Sequence, residues 1–178
     1  MQWIKNVFLF LLFGVGIFIC VIGAVLIIHA TSNYSYVKTF EEEILIKSQA
    51  KDVYNFILDP QKVQEWWSGT REVILLTQGE PGKNTKYVLV TNQGDVSFSV
   101  RSLSKDKSIE LSYEFKDNQN IGNTQFTLIE QNKNTTLRVK TSIRFIRQNE
   151  RFWSPVTTYN LRKKTKKDLE KLKILIEK

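Results

Sequence analysis

In Ile44-Leu45-Ile46-Lys47-Ser48-Gln49-Ala50-Lys51-Asp52-Val53-Tyr54-Asn55-Phe56-Ile57-Leu58-Asp59-Pro60 the apolar residues change their period. Before Lys47 they alternate: Phe40, Ile44 and Ile46 share one parity, which predicts a strand from Tyr36 to Lys47. After Ser48, a favoured N-cap residue, Val53, Tyr54, Phe56 and Ile57 fall at helical spacing. Asp59-Pro60 then signals a second short helix, with Asp59 as cap and Pro60 at the first helical position, running to about Trp66.

Beyond this opening the period returns to two. Turn signals at Gly79-Glu80-Pro81-Gly82, Asn92-Gln93-Gly94-Asp95, Lys105-Asp106-Lys107, Asp117-Asn118-Gln119-Asn120 and Asn132-Lys133-Asn134 separate five or six strands. Val96, Phe98 and Val100 alternate with Ser97, Ser99 and Arg101. Ile109, Leu111, Tyr113 and Phe115 do the same, as do Leu137, Val139, Thr141, Ile143 and Phe145. One dry and one wet face per strand, with short connections, predicts an antiparallel meander covered on one side. The cover is expected from the C-terminus. Ser154-Pro155 reads as a helix start, and the helix can continue to about Glu177, about 34 Å. Thr158, Leu161, Thr165, Leu169, Leu172 and Ile176 form one stripe along it. The fold class expected is therefore α+β.

The order of elements resembles the helix-grip fold of START domains, the birch-pollen-allergen family and the polyketide cyclase/dehydrase and lipid-transport family, the SRPBCC superfamily. Ile44 to Pro60, followed by Glu65-Trp66-Trp67, is similar to that superfamily's first strand, first helix, Asp-Pro turn and tryptophan-bearing second helix. The resemblance covers roughly residues 36–177. It implies a curved antiparallel sheet wrapped around a long C-terminal helix, with a cavity between them suited to lipids or other apolar ligands. It carries over no catalytic residue, because the superfamily shares no catalytic triad.

Ahead of the domain, Val7 to Ile28 is a run of 22 residues without a charge. As a helix it rises about 33 Å, enough for the hydrocarbon core of a bilayer. Trp3 before it and Tyr34 and Tyr36 after it suit interfacial positions. The alternative is a cleaved signal peptide, but the run is long for one and Ile28-His29-Ala30 is a poor cleavage site. The expected organisation is a transmembrane anchor at 1–30, a linker at 31–35 and the SRPBCC/START-like domain at 36–178. Lys5 ahead of the run, against Glu41, Glu42 and Glu43 after it, places the N-terminus in the cytoplasm and the domain on the outer side of a single-pass membrane protein.

The lone cysteine, Cys20, lies in the apolar run, and the lone histidine, His29, at its end. The domain thus has neither residue, which excludes Ser-His-Asp and Cys-His catalysis and zinc sites built from His or thiolate. No disulfide within the chain is possible. No cofactor and no metal are expected. Residues 151–178 hold nine Lys or Arg against three Asp or Glu, so most of the formal net charge of +8 sits in one element. No nucleic-acid-binding motif accompanies it, and nucleic acid is not expected as a partner.

Three sets of residues are candidates for function. Trp66, Trp67, Phe98, Tyr113, Phe126 and Tyr159, with the hydroxyls of Thr141 and Thr165, are candidates for lining a cavity; the alternative is that the rings fill a core. Trp66 and Trp67 are adjacent, so both cannot point into the core and one is expected at a cavity mouth or exposed. Arg162, Lys163, Lys164, Lys166 and Lys167 are candidates for contact with anionic headgroups, the alternative being a solvated helix face. Glu42 and Glu72 share parity with apolar neighbours and could act as buried bases, but nothing pairs them with a second group, and solvation near a strand end is the favoured alternative. The leading expectation is a membrane-anchored, non-enzymatic binding module for a lipid or other apolar small molecule. The alternatives are a cyclase/dehydrase-type enzyme using a cavity carboxylate or tyrosine, and an interaction domain with a filled core.

Overall fold

The computed structural model describes residues 14–27, 36–116 and 119–178. The chain divides into two units, Met1–Tyr34 and Ser35–Lys178. In the first, residues 14–27 are helical (α1) and expose Val15, Phe18 and Ile27. Among the described residues no helix is long and apolar enough to cross a membrane. The expected single-pass membrane localisation, with its outward-facing domain, is corrected accordingly. Of the apolar run, residues 14–27 are described, as helix; 7–13 and 28 lie outside the described residues. Trp3, Lys5, His29, Tyr34 and residues 31–35 lie outside the described residues. Tyr36, expected at an interface, instead packs against the core of the second unit.

The second unit follows the predicted order. Strand β1 (Tyr36–Ile46) leads to α2 (Ala50–Leu58) and α3 (Pro60–Trp66). Six strands follow: β2 (Thr70–Leu75), β3 (Lys86–Thr91), β4 (Gly94–Ser104), β5 (Ser108–Phe115), β6 (Ile121–Gln131) and β7 (Asn134–Phe145). Helix α4 (Gln148–Ile176) closes the chain. All seven strands join one antiparallel sheet in the order β1-β7-β6-β5-β4-β3-β2. Only β1 is out of sequence, pairing with β7 along its whole length.

Alternation decides which side is buried. Ile109, Leu111 and Tyr113 of β5, and Leu137, Val139, Thr141, Ile143 and Phe145 of β7, face the same covered side. An extra residue, Arg101, interrupts β4 between Val100 and Ser102. Such a bulge bends a strand and strengthens its twist, which helps the sheet curve around its cover. A second register shift at Arg71 breaks the simple parity of β2. Glu72 and Ile74 consequently face outward while Val73 packs on the core, so Glu72 is not a buried base.

Two helix starts differ from their sequence signals. Ser48 does not cap α2, whose N-cap is Gln49 with no side-chain cap bond. The Ala50 N–H donates instead to Glu130 Oε2 of β6 at 2.9 Å. A carboxylate from a distant strand thus satisfies an orphan donor at the positive end of the helix. Helix α4 begins at Gln148 rather than after Ser154, so Pro155 lies inside it. Proline cannot donate to the carbonyl four residues back, that of Arg151. The Ser154 hydroxyl donates to the Arg151 carbonyl at 2.7 Å and fills that vacancy. Asp59 caps α3 as its sequence predicts, accepting from the Gln61 N–H at 3.0 Å with Pro60 in the first turn.

The inward stripe of α4 seats it on the sheet. Leu169 and Leu172 are buried, and Leu161, Leu175 and Ile176 pack on the same core. The helix makes its most extensive contacts with β1 and also touches β7, α2 and α3.

Candidate functional site

Between the sheet and α4 lies a cavity of about 330 Å³. Its sheet wall follows directly from strand alternation: Phe98, Tyr113, Thr124 and Thr141 come from four successive neighbours in the sheet, β4, β5, β6 and β7. Phe98 stacks on Tyr87 with ring centroids 5.2 Å apart and lies 5.3 Å from Tyr113. Behind Tyr113 is Gly122, its cross-strand partner on β6. The Tyr113 ring occupies the place where any Cβ at position 122 would stand, so the close approach requires glycine there. Burial pushes the Tyr87 and Tyr113 phenols well above the usual tyrosine range, with a hydrogen bond to Thr124 partly opposing this at Tyr113. Thr124 and Thr141 share a hydrogen bond of 3.0 Å, leaving this wall uncharged.

The other wall is built differently. The segment leaving α3 supplies Trp67 and Ser68, and α4 supplies Leu161, Lys164, Thr165 and Asp168. Lys164 Nζ lies 2.6 Å from Asp168 Oδ2, one turn along the helix. The Ser68 N–H donates to Asp168 Oδ1 at 3.0 Å, so both carboxylate oxygens are engaged. The Asp168 side chain is only 5% exposed, that of Lys164 32%. The Lys164 ammonium also sits 5.0 Å from the centre of the Trp67 ring, a cation–π contact. Burial lowers its pKa below the ordinary lysine value, and the Asp168 charge counteracts part of that shift.

A smaller pocket of about 30 Å³ adjoins through Trp67, Thr124, Thr141, Thr165 and Asp168, which line both. Trp66 and Phe126 contribute to this pocket. Trp66 is 4% exposed, and its Nε1–H is buried with no hydrogen-bond partner.

Of the eight cavity candidates, Trp67, Phe98, Tyr113, Thr141 and Thr165 line the main cavity, while Trp66 and Phe126 line the small pocket. Tyr159 does neither: it is 65% exposed, because Thr158 and Leu161 take the inward stripe on either side of it. The five basic candidates do not form one face. Lys163, Lys166 and Lys167 are exposed. Arg162 pairs with Glu42 of β1, whose side chain is 15% exposed, and Lys164 joins the cavity wall. Glu42 therefore has a partner that its sequence position did not reveal. Asp168 went unrecognised in sequence, although a signal was present: it stands seven residues from Leu161 and four from Lys164, on the inward stripe of an otherwise basic segment. Gly122 and Thr124 carried no such signal, since their importance depends on what lies across the strand.

Residues 47–172 match the family model described as Activator of Hsp90 ATPase homolog 1-like protein. The chain belongs to this family. Solved structures with the same fold include Mll3558 from Rhizobium loti, at 16% identity and a TM-score of 0.63 over 80% of this chain and 99% of that one. Protein CV1439 from Chromobacterium violaceum is similar at 15% identity and a TM-score of 0.58, over 79% and 97% of the two chains. A point mutant of norcoclaurine synthase from Thalictrum flavum, solved with a transition-state analogue, is similar at 10% identity and a TM-score of 0.62, over 80% and 96%. No curated protein matches the chain. The family and the fold place the domain in the SRPBCC superfamily, whose members include ligand-binding and cyclase-like proteins.

Proposed function

We propose that this domain is a binding module for one small apolar molecule, held between the curved sheet and α4. The observation that carries the reading is the cavity of about 330 Å³, walled by Phe98, Tyr113 and Trp67 and edged by a few polar groups. That size lies at the lower end of small-molecule sites, roughly 300–1,000 Å³. It suits a compact ring system or a short single chain better than a two-chain lipid. Aromatic walls supply burial without charge, and a small number of polar groups orient the guest.

An enzyme of the cyclase/dehydrase kind is the second reading, favoured by one observation: Asp168 is an inward acid beside Lys164. Both oxygens of Asp168 are already engaged, by Lys164 and the Ser68 N–H. A substrate proton would have to compete with those two donors at a carboxylate that is only 5% exposed, which keeps binding the leading reading.

The test is fluorescence titration of the full chain with the neutral probe N-phenyl-1-naphthylamine. Saturable one-to-one binding is expected. Thr165→Trp, which fills the cavity from the helix side, is expected to weaken it about tenfold or more without lowering the unfolding midpoint. Absence of saturable binding, or equal binding by the filled variant, overturns the reading.

A further inference from the structure

The polar groups around the cavity are unequal in what they still lack. Thr124 and Thr141 bond to each other, and the Asp168 oxygens are both engaged. Each of those oxygens already has a partner, whereas one buried donor beside the cavity has none. Trp66 Nε1–H is buried without a partner, and an indole N–H can only donate. Lys164 has three N–H groups, one of which is used on Asp168. Lys164 lines the main cavity and Trp66 the adjoining small pocket, and the ring of Trp67, which lines both, is 5.4 Å from that of Trp66 and 5.0 Å from Lys164 Nζ. A buried donor left unpaired is destabilising, so a guest that supplies an acceptor here gains more than contact area.

Charge then separates two kinds of acceptor. An anionic guest would bring a second negative charge beside Asp168, which is 5% exposed and already neutralises Lys164. Desolvating that anion has no uncompensated cation to repay it. A neutral oxygen accepts the same N–H groups without this penalty. The small pocket adjoining the cavity, about 30 Å³, has room for one such atom or a water.

We propose that the guest is a neutral apolar molecule bearing a carbonyl-type acceptor, such as a ketone or ester, with Lys164 and Trp66 as its donors and specificity-determining residues. This inference rests on the binding reading above. It predicts discrimination among guests of one shape according to the group they carry.

Calorimetric titration of the full chain at neutral pH with three naphthalenes tests it. 2-Acetonaphthone carries the neutral acceptor, 2-ethylnaphthalene has nearly the same shape without it, and 2-naphthoate carries a charged one. The ketone is expected to bind about tenfold more tightly than the hydrocarbon, the scale of a hydrogen bond from a charged donor. It is also expected to bind more tightly than the carboxylate. Two variants assign the preference. The pair K164M/D168N removes the ammonium without stranding a buried carboxylate and keeps an oxygen for the Ser68 N–H. W66F removes the indole donor together with part of the buried ring volume. Each is read as the ratio of ketone to hydrocarbon affinity, which cancels general changes in packing, and each is expected to lower that ratio. Equal binding of ketone and hydrocarbon, tighter binding of the carboxylate, or a wild-type ratio in both variants overturns the proposal and leaves the cavity reading standing. Failure of all three compounds to bind overturns both.

Discussion

The two walls of the cavity are made by different means. The sheet wall of Phe98, Tyr113, Thr124 and Thr141 arises from strands paired to their neighbours, and its side chains point inward because every second residue must. The wall formed by Trp67, Ser68, Lys164, Thr165 and Asp168 joins segments about a hundred residues apart in sequence. The uncharged wall is thus local in origin, and the wall with the ion pair exists only because α4 docks. On the proposed function, the first supplies shape and the second chemical discrimination.

If that contrast is right, damage to the docking of α4 should cost most. Leu172 is fully buried on its inward stripe. Leu172→Ala is expected to destabilise the domain by about 2–5 kcal/mol, read by urea unfolding, and to weaken guest binding in parallel. Gly122→Ala tests the sheet wall. Its new methyl group must displace the Tyr113 ring, at an expected cost of about 1–3 kcal/mol. A cost as large as that of Leu172→Ala would show the sheet wall to be as dependent on one fit as the helix wall. The smallest effect belongs to the outer face of α4. Tyr159→Ser should change stability by less than about 0.5 kcal/mol and leave binding of N-phenyl-1-naphthylamine intact. A loss of binding there would extend the site to a face that is 65% exposed.

The same contrast explains what could be read in advance. Phe98, Tyr113 and Thr141 were identifiable because a strand's period of two assigns each residue to a face without reference to the rest of the chain. Thr165 was identifiable because it interrupts a run of lysines on a helical stripe. Lys164 looked like one more surface cation, and only the nearness of Trp67 and the partnership with Asp168 turn it into part of the cavity. Tyr159 shows the converse error: an aromatic one residue off the stripe belongs to solvent however well its type suits a pocket. The helix starts divide in the same way. Asp59 caps α3 through the residue two ahead, a local bond. The carboxylate at the start of α2 comes from Glu130, eighty positions away.

The apolar run near the N-terminus marks another boundary of local reading. Its length and lack of charge pointed to a membrane span, yet the helix described there covers residues 14–27, and no described helix is long and apolar enough to cross a bilayer.

By itself the sequence determined the order of elements, the buried face of each regular strand, the inward stripe of α4 and the absence of His and Cys from the domain, because these follow from periodicity and composition along the chain. Tertiary structure alone decided that Glu130 caps α2, that Glu42 meets Arg162, and that Lys164 and Asp168 join Trp67 at a cavity. Those relations depend on the curvature of the sheet and the docking of α4, long-range geometry to which neighbouring residues carry no local signal.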